Sequence, residues 1–589
     1  MEMACYIYLF IGLQAAFSVL GCPDGCKCSN QRVICEGKAV TQVPSPLPVD
    51  TLRLDLIGTR IPSLEVSTFQ DPPPALTALN VNGNEFSHIS PGAFDSLTNL
   101  QYLILNSNQL REIPSGLLNK LVNLERLMLY NNKLQKIDSG LFATLSKLKD
   151  LQLQENELSA IPEGAFHHLV SLQMLHLGKN NITHLPANIF KTLTKLQTLK
   201  LPDTQLRQIP AGSFDNLNLV ELYLQDNHIE HLHHGLFSKL LNLKKLYLSN
   251  NQISELPEGI FLNLPNLTKF TLFENRLTDL PSGVFGPMPH LRDLWLYDNK
   301  LVHISDNVFS NLTNLELLIL SRNHISSISK DAFSGLNKLA EVSLHTNKLT
   351  SLDKGTFRGM DKLQNISLQN NHLRSLPRNL FRNLSKLTEV QLQNNSLESL
   401  PQELLNSFEP LAKVNLCNNP WKCDENIVPL RNWMILHQSK VLNISQVTCY
   451  SPHSLRGILI TSLTDDQLKT SQEEHATNTE RTTVQDTTRD TSRSVTSTSF
   501  HPQTTRSSPT LKTYPSPSLK TTPTTSNKGE DTEDDHGQNK GLKKEVLITI
   551  TVLVCTVLIS AVIISVICRC NRRRSGAEIT QVTKRNAVI

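Results

Sequence analysis

The stretch LRDLWLYDN, residues 291–299, sets Leu291, Leu294 and Leu296 against Asn299 and leaves two large aromatics, Trp295 and Tyr297, on the alternate places. The arrangement is not local. It returns in LQYLILNSN at 100–108, LKKLYLSNN at 243–251 and LTKFTLFEN at 267–275. Asparagine recurs at 84, 108, 132, 156 and 180, then at 227, 251, 275, 299, 323, 347, 371, 395 and 419, an interval of 24 residues apart from one gap. Thr204 fills that gap and one residue is missing after it. An earlier, weaker copy, LRLDLIGTRI at 52–61, has Thr59 at the asparagine place.

Such a unit cannot fold alone. Burying about six apolar side chains yields ~1.5–3 kcal/mol each, whereas ordering the backbone costs ~1–2 kcal/mol for every residue of the repeat. Stacking resolves the deficit, because neighbouring rungs share their apolar faces and each buried asparagine can satisfy backbone groups in its own loop and the next. Most rungs continue into segments such as EIPSGLL (112–118), AIPEGAF (160–166) and ELPEGIF (255–261), which turn the chain back. Thr204 offers one hydroxyl in place of a carboxamide and Pro202 removes an N–H, so a local break in the ladder is expected there.

The motif LxxLxLxxNxL at this period resembles the extracellular leucine-rich repeat family. The resemblance implies an α/β-type solenoid: a horseshoe with a parallel sheet on its concave side, closed at both ends by cysteine caps. Cys22, Cys26, Cys28 and Cys35 resemble the N-terminal cap, and NPWKCDENIVPLRNW with Cys449 and SLRGILI resembles the C-terminal one. Spacing alone leaves three pairings open for the first four cysteines. The family pairs first with third and second with fourth, which implies Cys22–Cys28 and Cys26–Cys35. In the second cap the family often carries four cysteines; here Glu425 stands at one place and none follows Cys449, leaving Cys423 with Cys449. Cys417 is left over, either a reactive or intermolecular thiol or a buried inert one.

Outside the repeats, residues 1–21 read as a secretory signal, although MEMACY lacks the usual basic n-region. The cap spans 22–50, the repeats 51–416 and the second cap 417–461. Residues 462–542 are rich in Ser, Thr and Pro and read as a disordered, glycosylated stalk. Residues 546–568 carry no charge; as one transmembrane helix they would reach ~34 Å against ~30 Å of hydrocarbon. Arg569, Arg572, Arg573 and Arg574 follow, so the expectation is a single-pass type I plasma-membrane protein with the bilayer as one partner and residues 569–589 as a cytosolic tail. Cys568 and Cys570 are palmitoylation candidates. The tail names no cytosolic partner, and its ending NAVI suits either a PDZ groove or no partner.

Little points to chemistry. The net charge of +4 on 589 residues gives no case for nucleic acid. His228, His231, His233 and His234 fall at diverging places of the rung, so no metal site is expected, and no cofactor. No HExxH, GxSxG or phosphate loop stands in its required context, so no catalytic residue is named and the chain is expected not to be an enzyme. Seven N-glycosylation sequons occur, at Asn181, Asn266, Asn311, Asn365, Asn383, Asn394 and Asn443.

Binding is the better prospect. Side chains alternate along a strand, so with the leucines inward the intervening residues line the open face of the sheet, ~75 Å long for ~16 strands. Tyr223, Tyr247, Phe273, Trp295, Tyr297, Leu317 and Ile319 fall there in five consecutive rungs, an apolar patch that suits a protein partner. Cross-strand stacking that merely stiffens the sheet is the competing reading, at ~0.2–1 kcal/mol per pair. Further along, Gln369, Gln391, Gln393 and Asn394 make the same columns polar, and glycans on Asn365 and Asn394 would confine partners to the earlier rungs. The family resemblance implies an adhesion receptor binding matrix proteins (collagen, fibronectin, laminin) and affecting migration. The alternative is a signalling co-receptor that captures a soluble protein and recruits a membrane partner.

Overall fold

The computed structural model describes residues 21–469. Each rung contributes one short strand, usually of three residues, as in Tyr102–Ile104, Lys245–Tyr247 and Asp293–Trp295. Strands this short do not persist alone; here each lies parallel to the strand of the next rung, giving one sheet of 19 strands. Register advances by one whole rung, so that Leu222, Leu246 and Phe270 are successive partners and all point into the core. An antiparallel hairpin of Cys26–Ser29 and Arg32–Glu36 covers the first edge of the repeats and Val441–Leu442 the last, so neither edge of the repeat stack is left open.

Asparagine holds the rungs together. Asn132 donates from Nδ2 to Leu129 O at 3.0 Å and Tyr130 O at 3.3 Å in its own rung and to Leu105 O at 3.1 Å in the preceding one. Its Oδ1 accepts from Leu110 N at 3.2 Å. The pattern repeats at Asn251 and Asn323. The residue before each asparagine turns the chain out of the strand with a positive φ, 57° at Ser107, 53° at Glu274 and 52° at Asp298. A left-handed non-glycine residue costs about 1–2 kcal/mol, which the buried carboxamide network that follows it offsets.

Opposite the sheet, the expected α/β layering is corrected. The returning segments are successive i+3 turns, such as Asn119 N to Gly116 O at 3.0 Å and Leu121 N to Leu118 O at 3.0 Å. Among the described residues only two wind further, the first into a 3-10 helix, Val66–Phe69, and the last into a short α-helix, Gln402–Asn406. The reason is spacing. Strands of successive rungs lie ~4.8 Å apart, whereas helices packed side by side need ~8–10 Å, so turns fit the stack where helices would splay it. The fold is therefore a β-solenoid. A column of phenylalanines from Phe214 through Phe237, Phe261, Phe285, Phe309, Phe333, Phe357, Phe381 and Phe408 fills this side, with ring centroids 5.8–6.4 Å apart.

The membrane expectation is corrected too. Among the described residues no helix is long and apolar enough to cross a membrane. The longest, Val428–Leu436, has 9 residues, ~14 Å of rise where ~30 Å is required. The type I topology, the plasma-membrane location and the bilayer as a partner are withdrawn accordingly. Residues 546–568, on which they rested, lie outside the described residues, as do the signal segment up to residue 20, most of the stalk, the tail and the two palmitoylation candidates Cys568 and Cys570.

At the irregular rung the ladder is continuous, contrary to the expected break. Thr198–Lys200 pairs with the strands on both sides, and Leu201 N and Asp203 N donate to Tyr223 O at 2.9 Å and Gln225 O at 3.2 Å. Ladder donors sit on either side of the Pro202 place, so its missing N–H is not needed there. What changes is the side-chain network. Thr204 N and Oγ1 both donate to Asn227 Oδ1, at 3.0 and 2.8 Å, but Thr204 has no amide to offer Leu177 O in the rung before.

Disulfides Cys22–Cys28 and Cys26–Cys35 staple the first cap and Cys423–Cys449 the second. Cys417 is a free thiol buried beneath the second cap, with Sγ 3.6 Å from Leu442 O and 3.5 Å from Asn443 O. The cap's packing runs on to buried Leu463 and Leu468, and Arg431 reaches Asp465 at 2.7 Å.

Candidate functional site

All seven predicted apolar residues stand on the sheet face, and the ring contacts divide them. Tyr223 and Tyr247 are register partners whose rings stack 4.7 Å apart at 16°. Phe273 and Tyr297 stack 4.6 Å apart at 8°. Trp295 leans against that second stack, 6.2 Å from Phe273 at 42° and 6.3 Å from Tyr297 at 49°. Ile319 is the register partner of Trp295 on the following strand, and Leu317 that of Asp293. Thr271 separates the two groups in the central column.

Stacking therefore covers part of the rings but not all. Tyr223, Tyr247, Phe273, Tyr297, Leu317 and Ile319 are half-buried, while Trp295 keeps 37% of its surface exposed. The other two tryptophans, Trp421 and Trp433, are buried in the second cap. Leaving 37% of the indole in water forgoes roughly a third of the ~1.5–3 kcal/mol that full burial of a large apolar side chain is worth, a cost that ring stacking within the sheet does not require.

The two groups differ in charge. Beside the tyrosine pair, Lys200 Nζ lies 5.1 Å from the Tyr223 ring centre, and the Tyr223 hydroxyl donates to Glu221 Oε2 at 2.8 Å. Lys245 pairs with the same carboxylate at 2.6 Å. Burial, then that hydrogen bond and the charge of Glu221, pushes the Tyr223 phenol far above its ordinary range. Around the second group the charges are acidic. Burial, then the carboxylates of Glu274 and Asp298, raises the Tyr297 phenol. Asp298 is paired with Arg322 at 2.7 Å; Glu274 and Asp293 form no ion pair among the described residues. These charged neighbours were not singled out in the sequence, although the 24-residue register placed them beside the rings.

The sequons are dispersed. Asn365 lies in the sheet, half-buried in Asn365–Ser367; Asn394 is exposed at its margin with φ 57°. Asn266 and Asn311 are tied across rungs to Leu241 O at 2.9 Å and Phe285 O at 2.8 Å, and Asn181, Asn383 and Asn443 are exposed. None lies on the strands that carry the rings. Of the four histidines, His228 contacts Gln252 at 3.1 Å and His231 lies 3.6 Å from Glu255, each facing a different neighbour. An open depression of about 750 Å³ lies to one side of the rings, walled by Lys179, Asp203, His228 and Arg276. It shares no residue with the aromatic groups, so hollow shape and exposed rings mark different places.

Family profiles match the chain along the whole stack. "Leucine rich repeat" matches residues 52–110, 122–182 and 265–325; "BspA type Leucine rich repeat region (6 copies)" matches 160–292 and 302–427; "Leucine Rich repeats (2 copies)" matches 98–142. The chain is a leucine-rich repeat protein. Repeats of this kind build binding scaffolds, not catalytic sites, and the protein is not an enzyme.

Among known sequences it is similar to human leucine-rich repeat-containing protein 15, 42% identical over 91 residues, 15% of this chain and 16% of that protein. Mouse chondroadherin-like protein is 38% identical over 86 residues (14% and 11%), and trophoblast glycoprotein of Macaca fascicularis 35% over 88 (14% and 21%). The leucine-rich repeat chain matches about a tenth to a fifth of these relatives' length. Among solved structures, the glycosylated Toll–Spatzle complex of Drosophila is similar with TM-score 0.53 and 22% identity over 75% of this chain and 72% of that one, a likeness of fold. A Leptospira interrogans leucine-rich repeat protein gives TM-score 0.49 at 28% identity, covering 68% and 93%.

Proposed function

We propose that the protein binds a protein ligand on its sheet face, through the wedge formed by Trp295 with the Phe273–Tyr297 stack. The single observation that carries this is an indole with more than a third of its surface in water beside rings that are packed against each other. Exposed aromatics on a rigid scaffold bind at low entropic cost, because strand and neighbours already fix their rotamers. The sheet face around them bears no sequon, which keeps room for a folded partner. The Toll–Spatzle structure shows a solenoid of similar fold in a complex with another protein.

This reading favours ligand capture over matrix adhesion. The expected matrix partners collagen, fibronectin and laminin are withdrawn, because no feature of the face selects them and the relatives are matched over too little of their length to lend them. The test compares the full-length chain with Trp295→Ser/Tyr297→Ser for retention of secreted proteins, with Gln369→Ala as a control elsewhere on the face. Proteins held by the parent and the control but released by the double variant support the reading. The same proteins on all three overturn it.

A further inference from the structure

We infer that the Trp295 wedge receives a basic side chain, an arginine or lysine presented by the protein ligand. The inference rests on the binding reading above and adds the chemistry of the anchor. Three features converge. Trp295 stands at 42° and 49° to the rings of Phe273 and Tyr297, so the indole does not join their stack as a third layer but meets it at an open angle, the wedge. Aromatic faces carry negative electrostatic potential, strongest for indole, and attract a cation within ~6 Å. Asp293 and Trp295 share the sheet face along one strand, and Glu274 follows Phe273 on the preceding rung. Two carboxylates without an ion pair among the described residues thus stand on either side of the wedge.

The neighbouring cations are engaged or displaced. Arg322 is held by Asp298, Arg292 by Glu316, and Lys245 by Glu221. Lys200 lies over the Tyr223 ring, in the other group. Lys269 is the exception: exposed and next to Asp293 in the register, it forms no ion pair among the described residues and offsets part of that carboxylate's charge, leaving Glu274 as the acid that acts most on Tyr297. The raised phenol of Tyr297 reports, beside its burial, the same negative field at the wedge. An acidic side chain would meet repulsion there, and a purely apolar one would leave the carboxylates unanswered.

Trp295 is its own reporter, because the other tryptophans are buried. The full-length chain is titrated at low salt with the tripeptide acetyl-Gly-Arg-Gly-amide, its citrulline isostere and its glutamate counterpart, following indole emission with Trp295→Phe as blank. Saturable change with arginine, about two- to fivefold weaker with citrulline and absent with glutamate, is expected. Glu274→Gln/Asp293→Asn, with an unchanged unfolding midpoint, should lower arginine affinity by a similar factor. Equal response to arginine and citrulline, or no effect of the double variant, overturns the inference. Should that occur while Trp295→Ser/Tyr297→Ser still releases protein ligands, the binding surface stands and only its basic anchor falls.

Discussion

Thr204 shows how much one side chain contributes in a stack. Asn251 makes bonds of 2.9, 3.1 and 3.2 Å from a single amide nitrogen and receives a fourth on its oxygen, joining two rungs. Thr204 bonds Leu201 O at 3.1 Å and the next asparagine, and reaches nothing in the rung before. Asn251→Ala should therefore cost about 3 kcal/mol or more, since it leaves several buried carbonyls unpaired at ~1–3 kcal/mol each. Thr204→Ala should cost less than half of that, measured by denaturant midpoints. Gly178 is the matching case in sterics. A Cβ on Gly178 would lie 2.7 Å from Pro202 Cδ, Cγ and O, so the glycine exists to seat the proline of the following rung. Gly178→Ala should destabilise by ~1–3 kcal/mol, and adding Pro202→Ser should restore part of the loss. No change in the single variant would show that the two rungs have room between them.

At the scale of the element, a three-residue strand is set by its neighbours more than by its own sequence, and its side chains titrate accordingly. His176 closes the strand Met174–His176 and is the register partner of Lys200. Burial, then the charge of Lys200, lowers its imidazole to about 4. The unfolded chain, at ~6.5, takes up that proton first. Stability from the neutral imidazole is therefore complete above about pH 6.5 and is lost as pH falls toward 4. His176→Gln should flatten that part of the stability–pH curve by on the order of 1–2 kcal/mol, allowing for partial exposure. The strands themselves were legible in the sequence, because leucines and asparagines at a fixed period define both register and inward face. The return segments were not. Their phenylalanines, Phe237, Phe261 and Phe285 among them, suit a helix or a run of turns equally, and the choice depends on how tightly rungs pack. Likewise Pro202 predicts a break only if its N–H is used, a fact of register. Cys417 sits against Leu442 of a cap strand, 25 residues downstream, so its burial could not be read from its own rung.

For the molecule as a whole, a stack couples only adjacent rungs, so binding and stability can vary independently along it. Trp295→Ser/Tyr297→Ser should leave the unfolding midpoint within about 1 kcal/mol of the parent, because Trp295 and Tyr297 lie outside the leucine core. It should nonetheless abolish ligand retention. The position of the rings was legible from alternation. Their division into two groups of opposite charge was not, since it depends on which rings stack and which acids stay free of ion pairs. Binding at this face requires Trp295 to meet water, and the emission of the parent minus that of Trp295→Phe measures this directly. A red-shifted difference spectrum that acrylamide quenches freely is the predicted result. A blue-shifted one that resists quenching would place the indole in the interior and contradict the account.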